Sequence, residues 1–264
     1  MFGVVTRSLE DLDDPSFDIG FYEVKDVTGR RSDPTAEGIN MVSCHGDTKA
    51  STEDELVALS ETGEPATRER PYFDWGYVCP THDGYREELL DLIDRCVEIN
   101  GDLRLDDVGF PRQEYCYCER CNDRFAASDH SDRFAWRQSV ITGFVEEAAG
   151  RIPGRTYLTV YPDPYPGHLQ GRTGLEPAVI ETYVDEIVVP IYDMAYSTTY
   201  WLEILAKGFV NLLSIPFSIE LYAVDVELDN LIHAAEVAEA YADNVLFSYH
   251  ASTAREAIDG LHAL

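Results

Sequence analysis

Lysine is nearly absent from this chain: only Lys25, Lys49 and Lys207 occur among its 264 residues. The 20 basic residues face 49 acidic ones, which leaves a formal charge of −29 at pH 7. Such a charge repels nucleic-acid phosphates and anionic membranes, so we expect neither as a partner. It is typical of proteins from a high-salt cytoplasm, where salt screens repulsion among acidic groups, and we expect stability to fall when salt is removed.

Long apolar runs are missing as well. No stretch approaches the ~20 residues of a membrane span, and the start, MFGVVTRSLEDLDD, shows no basic segment followed by an apolar one. We therefore expect a cytoplasmic location. The chain also lacks H-E-x-x-H, H-x-H, G-x-S-x-G and Walker signatures, so no catalytic metal, serine nucleophile or phosphate loop is indicated.

What the chain does contain is an alternation of short β-like runs with helical patterns. Strand candidates stand at 2–5, 39–44, 73–79, 102–107, 157–161, 186–192, 213–222 and 245–250, with a further candidate at 18–24. This alternation predicts a parallel sheet, and eight strands in about 250 residues predict an α/β fold, a (β/α)8 TIM-type barrel. We expect one barrel domain over 1–264, with 25–72 forming a long loop over the site. A doubly wound open sheet is the alternative, but no G-x-G-x-x-G supports a dinucleotide site.

Barrel enzymes place their active sites at the carboxyl ends of the strands. Carboxylates and aromatic residues occur at those ends here, a mixture suited to sugars because aromatic rings stack on sugar faces and carboxylates bind hydroxyls. Packing between barrel and helices is the alternative role for the aromatic residues, and hydrogen bonding at the rim for the histidines. The candidates for substrate contact are His45, Tyr161, Tyr192, Trp201, Tyr222 and His250.

Cysteines are clustered: three of the six lie in the sequence Cys116-Tyr-Cys118-Glu-Arg-Cys121. In a cytosolic chain this C-x-C-x-x-C spacing favours a metal ion over disulfides, and reduced surface thiols are the alternative. A closed tetrahedral site needs a fourth ligand. Cys79, at the end of a predicted strand, is the first candidate.

His82 and His130 are the alternative fourth ligands. We expect a structural Zn²⁺ that holds loops together on the C-terminal face of the barrel. Of the two remaining cysteines, Cys96 lies on the apolar face of a predicted helix and is expected in the core. Cys44 is expected to be either a buried core residue or a site residue.

Two segments resemble the β-galactosidases of glycoside hydrolase family 42. YVCPTHDGYREEL (78–90) resembles their C-x-x-x-P/D-x-Y-R-E stretch, and EYCYCERCNDRF (114–125) resembles their zinc-binding C-Y-C-P-R-C-x-x-x-F. In that family one upstream cysteine and a C-x-C-x-x-C close a structural zinc site. The resemblance covers about 78–125 and implies that Zn²⁺ is held by Cys79, Cys116, Cys118 and Cys121.

The stretch GDLRLDDVGFP (101–111) is also similar to a strand, G-I-H-L-D-x-I-R-F-P, of a broader set of glycosidase-type barrels. Asp106 falls on the aspartate of that strand, whereas Gly109 stands in place of its arginine. Family 42 enzymes carry an Asn-Glu pair at the end of the fourth strand, where this chain has Asp106-Asp107. The resemblance therefore implies the fold and the metal more directly than β-galactosidase activity.

Glycoside hydrolysis needs two carboxyl groups, one to donate a proton and one to act as nucleophile or base. Related barrels place them on strands four and seven, which implies Asp106 or Asp107 together with Glu220 as nucleophile. Side chains alternate along a strand, so we expect only one of the two to face the barrel axis and the other to point toward a helix or the following loop. The resemblance implies that Asp106 is the inward residue, with Asp107 as the alternative. Asp193, after the sixth strand, is the alternative partner, and a capping or salt-bridged role is the alternative for each.

We therefore expect a glycosidase-like hydrolase that acts on a small glycoside or oligosaccharide by two-carboxylate acid/base catalysis. One alternative is a non-catalytic, zinc-stabilised barrel that binds a carbohydrate or a protein, recognisable by binding without turnover. Another is a metal-dependent barrel hydrolase or isomerase that uses His45, His82 or His250, recognisable by a second metal ion per chain.

Overall fold

The computed structural model describes residues 1–263. At its centre, eight parallel strands pair in chain order and close into a barrel, which confirms the predicted (β/α)8 class. The strands are β1 (Phe2–Thr6), β2 (Ile19–Lys25), β3 (Ile39–Ser43), β4 (Leu103–Asp106), β5 (Thr156–Thr159), β6 (Glu186–Pro190), β7 (Phe217–Tyr222) and β8 (Asn244–Ser248).

The helices are distributed unevenly around this barrel. Within residues 1–263 no α-helix lies between β1 and β2 or between β2 and β3, whereas two follow β4 and two follow β5. No helix in this range is long and apolar enough to cross a membrane. The helices are α1 (Asp83–Ile99), α2 (Glu119–Ala126), α3 (Arg133–Ala149), α4 (His168–Thr173), α5 (Pro177–Ile180), α6 (Tyr200–Leu212), α7 (Leu228–Glu239) and α8 (Ala251–His262).

Two strand predictions near the N-terminus need correction. Residues 73–79 do not form a barrel strand; they run through the segment between β3 and α1, where Tyr77 and Val78 make isolated bridges to Gly46 and Val57. The second strand is instead the further candidate at 18–24. Because one strand is removed and one added before Asp106, that residue still ends the fourth strand, as predicted.

Helix α1 shows how local sequence sets element boundaries. The His82 ring accepts a hydrogen bond from the Tyr85 backbone N–H at 3.1 Å, which satisfies a free donor of the first turn. Leu89, Ile93 and Cys96 recur at helical spacing and are buried against the barrel. Cys96 therefore lies in the core, as predicted.

Alternation along the strands decides what faces the barrel axis. In β4, Leu103 and Leu105 join the core between barrel and helices, whereas Arg104 and Asp106 point inward toward the cavity described below. A separate apolar cluster fills the middle of the barrel. Its buried members are Val5, Phe21, Ile39, Met41, Tyr157, Val188 and Leu246.

The long segment over the carboxyl end of the barrel runs from 44 to 82. The expected loop over 25–72 is divided instead, because β3 lies within that range. Backbone hydrogen bonds fold the segment onto itself: Tyr77 donates to the Ala66 carbonyl and Cys79 to the Leu56 carbonyl. Tyr77, Val78 and Cys79 are consequently buried.

Candidate functional site

Four cysteine side chains meet beside this segment. The Sγ atoms of Cys79, Cys116, Cys118 and Cys121 all lie within 4.8 Å of one another. The Cys79 Sγ is 3.6 Å from that of Cys118 and 3.4 Å from that of Cys121. A tetrahedral Zn²⁺ with Zn–S bonds of about 2.3 Å separates its ligand atoms by roughly 3.8 Å. The four thiols therefore fit one tetrahedral metal ion, and this cluster could hold one.

The alternative fourth ligands lie elsewhere. His82 caps α1 through its ring nitrogen, and His130 is exposed beyond α2. Among residues 1–263 the four-cysteine cluster is the one group of three or more close metal-ligating side chains. The predicted set with Cys79 as fourth member is thus the set the structure brings together.

The cluster joins two loops at the carboxyl end of the barrel. Cys79 closes the 44–82 segment, and the other three cysteines follow β4. Backbone hydrogen bonds reinforce the junction, since Leu59 N–H donates to the Cys116 Sγ and Tyr117 N–H to the Leu59 carbonyl, at 3.3 and 2.7 Å. A metal here would hold both loops in place.

A cavity of about 230 Å³ opens at the same end of the barrel. Acidic, basic and aromatic side chains from several strand ends share its wall, as expected for a barrel site. The lining residues are Arg7, Glu23, Val27, Trp75, Arg104, Asp106, Asp107, Val108, Thr159, Val160, Tyr161, Leu175, Pro190, Tyr192 and Tyr249.

Asp106 and Asp107 both line this cavity. The inward direction of Asp106 follows from strand alternation, as predicted. Asp107 departs from the expectation that it would point away: its φ of 48° is left-handed, a conformation aspartate tolerates. The chain turns there, and the Asp107 Oδ2 accepts a hydrogen bond from the Ser43 hydroxyl at 2.8 Å.

The surroundings favour the protonated form of both carboxyls. Burial, reinforced by the negative charge of Asp106, raises the pKa of Asp107 well above its ordinary value. Burial also raises the pKa of Asp106, with Glu220 adding to the shift and Arg104 opposing it. Two adjacent carboxyls that share a buried site titrate as a pair, and one proton is retained most strongly.

Glu220 lies beneath the cavity and is fully buried. Its Oε2 accepts a hydrogen bond from Arg104 Nη2 at 2.5 Å, and its Oε1 accepts one from the Tyr192 hydroxyl. Each carboxylate oxygen thus accepts one hydrogen bond, and Glu220 is absent from the cavity lining. Glu220 holds Arg104 and Tyr192 in position, and its role as nucleophile stays a prediction.

Sequence reasoning missed Glu23 and Arg7 because it placed the second strand elsewhere. Glu23 lies two residues after Phe21 on β2 and therefore points to the same, inward side of the barrel. Arg7, just after β1, forms a salt bridge with it. Burial raises the pKa of Glu23 to about 7 despite Arg7. Arg7 also lies 4.9 Å from the Tyr249 ring centroid. The sequence signal that could have found this site is a glutamate, Glu23, at a position of β2 that alternation places on the same side as the apolar Phe21.

His45 supports the site from outside the cavity. Its backbone N–H donates to the Asp107 carbonyl at 3.0 Å, and its Nδ1 accepts from the Gly109 N–H at 3.1 Å. Burial lowers the pKa of His45 to about 3, which favours the neutral ring that this acceptor role requires. The predicted substrate-binding histidine thus clamps the turn that carries Asp107.

Gly109 explains a departure from the resembling strand, which has arginine there. Its φ of 140° is unfavourable for other residues. A Cβ at this position would lie 2.7 Å from the Thr173 Cβ. The packing of Thr173 against Gly109 therefore leaves no room for a side chain, and an arginine could not stand at this position.

The other predicted substrate contacts divide into two groups. Tyr161 and Tyr192 line the cavity. Tyr222 packs against Tyr192 with the two rings tilted and their centroids 5.3 Å apart, but it does not line the cavity. Trp201 lies on α6 with 67% of its surface exposed, and His250 is exposed with its Nδ1 2.7 Å from the Thr253 hydroxyl.

Two further candidates lie outside the cavity. Asp193 is exposed and accepts a hydrogen bond from the Ala195 N–H at 2.9 Å, a local turn contact. Cys44 is fully buried, and its Sγ lies 3.5 Å from the Val42 carbonyl. Of the two roles expected for it, this position fits the core residue.

Solved structures with similar folds are glycosidase-type barrels. The glycoside hydrolase domain of PgaB (BpsB) from Bordetella bronchiseptica is 10% identical, with a TM-score of 0.67 over 93% of this chain and 92% of that one. The spore cortex-lytic enzyme SleL of Bacillus megaterium QM B1551 is 9% identical, with a TM-score of 0.57 over 98% and 72%. A class V chitinase from Pseudomonas fluorescens Pf-5 is 9% identical, with a TM-score of 0.55 over 99% of both chains.

At these identities the likeness establishes the fold alone. No protein-family model and no curated relative matches the sequence. The resemblance to glycosidase barrels is thus supported at the level of fold, while the finer assignment to family 42 is not.

Proposed function

We propose that this protein is a glycosidase-like hydrolase that acts on a small glycoside or oligosaccharide. The observation that carries the proposal is that Asp106 and Asp107 line one cavity together with aromatic rings. Aromatic faces and paired carboxyls are the groups that glycoside hydrolysis uses. The fold likeness to three glycosidase-type structures supports the same class.

Asp107 is the proton donor in this proposal. Burial and the neighbouring Asp106 keep its proton bound toward neutral pH, as a general acid requires. Asp106 is the ionised member of the pair, favoured by the adjacent positive charge of Arg104. It acts as the base that takes a proton from the attacking water, so that a hydroxyl replaces the leaving group on the sugar. Glu220 is a positioning residue, because it contacts Arg104 and Tyr192 and does not line the cavity.

The test compares aryl glycosides of increasing leaving-group acidity in molar salt. Glucosides, galactosides and N-acetylglucosaminides are assayed, the last because one structural neighbour is a chitinase. Asp107→Asn should lower kcat on phenyl glycosides by about 10²–10⁴-fold. Dinitrophenyl glycosides should lose much less, because their leaving group needs no proton.

The exposed Asp259→Asn on α8 is the matched control. Its kcat should equal that of the wild type on every substrate. An Asp107→Asn enzyme whose kcat falls equally on both leaving groups would contradict the donor role. Unchanged turnover in both Asp106→Asn and Asp107→Asn would contradict the assignment of this carboxyl pair.

A non-catalytic, carbohydrate-binding barrel is the second candidate. It is favoured by the absence of Glu220 from the cavity lining, because the predicted strand-seven nucleophile then does not face a ligand bound in the cavity. Calorimetric binding of a glycoside without release of any product would select it.

We further propose that the four-cysteine cluster holds one structural Zn²⁺. An all-sulfur tetrahedral donor set is typical of such sites, and four protein ligands leave no position for a reacting water. Elemental analysis of purified protein should give one zinc per chain. Cys118→Ser should lower that content, whereas Cys96→Ser, at the buried cysteine on α1, should keep it.

A further inference from the structure

Two buried N–H groups in the cavity wall have no hydrogen-bond acceptor. They are Arg104 Nη1 and Trp75 Nε1, and no group among residues 1–263 accepts from either. Both residues line the same cavity. A buried donor without an acceptor costs roughly 1–3 kcal/mol, so such atoms in a wall indicate where a ligand or water oxygen binds.

The Arg104 guanidinium cannot turn away from the cavity. Its Nη2 donates to Glu220 at 2.5 Å and its Nε to the Thr159 hydroxyl at 2.9 Å. The Phe21 ring lies against it, with its centroid 5.3 Å from the guanidinium carbon. With only 2% of the residue exposed, the remaining nitrogen is held in one direction.

The Trp75 N–H and the Asp107 carboxyl lie close together in the cavity wall. A Cβ built on Gly46 would lie 2.9 Å from Asp107 Oδ2 and 3.0 Å from Trp75 Nε1, so both atoms pack against Gly46 and leave no room for a side chain there. Both residues line the cavity. A ligand oxygen that accepts from Trp75 on the cavity side would therefore lie near the Asp107 carboxyl.

The charges of the wall favour an uncharged ligand. Glu23, Asp106 and Asp107 oppose an anion, while the fixed cation of Arg104 opposes a positive group at the same depth. The raised pKa values of Glu23 and Asp107 reduce the net negative charge near neutral pH. A ring with several neutral hydroxyl oxygens satisfies both donors without adding charge.

We propose that Arg104 Nη1 and Trp75 Nε1 form a subsite for one uncharged sugar ring, each donating a hydrogen bond to a hydroxyl oxygen. The inference rests on the proposed function and specifies it: the oxygen bound by Trp75 lies beside Asp107. The two donors select against apolar ligands, which offer them no acceptor. The carboxyls of the wall select against sugar acids, whose negative charge they repel.

The experiment measures binding, so that it is independent of turnover. Methyl glycosides of glucose, galactose, N-acetylglucosamine and glucuronic acid are titrated by calorimetry in molar salt. Trp75→Phe keeps an aromatic ring and removes only the N–H, and it should weaken binding of the best neutral glycoside about fivefold. Arg104→Lys should weaken it at least as much, and the exposed Tyr200→Phe on α6 should bind as the wild type does.

Monodeoxy versions of the best glycoside separate a direct contact from a general loss of fit. One of them should bind the wild type about fivefold more weakly and bind Trp75→Phe as well as the parent sugar does. This readout stands even if Arg104→Lys fails to fold, because Trp75 is not part of the buried ion pair.

Three results would overturn the subsite: no saturable binding of any neutral glycoside, unchanged affinity and deoxy preference in Trp75→Phe, or tighter binding of the glucuronide. The first two would indicate that ordered water satisfies the donors. Sugar binding with the predicted pattern but without hydrolysis would leave the subsite standing and contradict the hydrolase.

Discussion

Two buried glutamates, Glu186 and Glu220, lie on inward positions at opposite ends of the barrel. At the amino end, Glu186 Oε1 accepts hydrogen bonds from Ser218 and from Asn244 Nδ2, and its Oε2 accepts one from Arg155 at 3.0 Å. At the carboxyl end, Glu220 binds Arg104 and Tyr192. Residue type and burial are therefore alike at the two ends.

The two networks differ in what surrounds them. The Glu186 carboxylate is paired with Arg155, whose side chain is 48% exposed, and both of its oxygens have partners. Above Glu220 there is a cavity with an unmatched Arg104 nitrogen and two aspartates whose pKa values are raised. One acceptor of the Glu186 network, Asn244 Oδ1, also lacks a partner. The carboxyl end differs in that its unmatched donors and strongly shifted carboxyls line a cavity together, which is a feature of a binding site.

Metal removal should have the largest effect and should separate the two ends. The cysteine cluster holds loops only at the carboxyl end, so chelation should cost more than about 5 kcal/mol of stability, since binding to a structural site couples to folding. Hydrogen exchange should accelerate in 44–82 and 107–121, with β6 and β8 still protected. Uniform acceleration throughout the barrel would remove the regional distinction.

The same substitution at the two glutamates should give unequal losses. Glu220→Gln removes the ion-pair partner of the buried Arg104, which should cost about 3–5 kcal/mol and most of the turnover. Glu186→Gln should cost about 1 kcal/mol, because solvent reaches Arg155, and should keep kcat. Denaturant unfolding and kcat measure both, and equal losses would contradict the comparison.

Glu23 should give the carboxyl end a distinct pH dependence. Its pKa rises from 4.5 to about 7 on folding because of burial, so the folded state holds an extra proton between those values. The free energy of unfolding should therefore fall as pH rises through this window, by at most about 1.4 kcal/mol per pH unit.

Glu23→Gln should remove the part of that slope due to Glu23 and keep the part due to Asp106 and Asp107, whose pKa values are raised as well. The difference between wild type and variant cancels the opposing contribution of His45, whose pKa is lowered to about 3 and which therefore loses stability as pH falls. Parallel stability curves for the two proteins between pH 4.5 and 7 would show that Glu23 ionises normally.

Asp193→Asn should have the smallest effect. The side chain is exposed and makes one local hydrogen bond outside the cavity, so stability should change by less than about 0.5 kcal/mol. The kcat should stay within twofold of the wild type. A large loss of kcat would instead support Asp193 as the alternative catalytic carboxylate.

Much of the barrel was predictable from local pattern. Period-two alternation places Arg104 with Asp106, and Ser218 with Glu220, on inward faces. The spacing of Cys116, Cys118 and Cys121 predicts a metal site within a short segment. These relations join neighbours in sequence, so chain geometry alone constrains them.

Other features depended on contacts between distant residues. The choice of 19–25 over 73–79 as a strand depends on closing a parallel barrel, and a parallel partner needs a crossover connection that 44–72 does not form. Glu220 accepts a hydrogen bond from Arg104, which lies 116 positions away in sequence. The alternation pattern of the strands does not predict that Arg104 and Glu220 bind each other.

The sequence by itself determined the barrel class, the inward position of one of the two strand-four aspartates and the clustering of three cysteines, because periods of two residues and short spacings are local properties. Tertiary structure alone decided that Asp107 turns into the cavity, that Cys79 and neither alternative histidine joins the cysteine cluster, and that Glu220 does not line the cavity. Those outcomes depend on backbone turns and on which strands close against one another, and barrel closure sets both across the whole length of the chain.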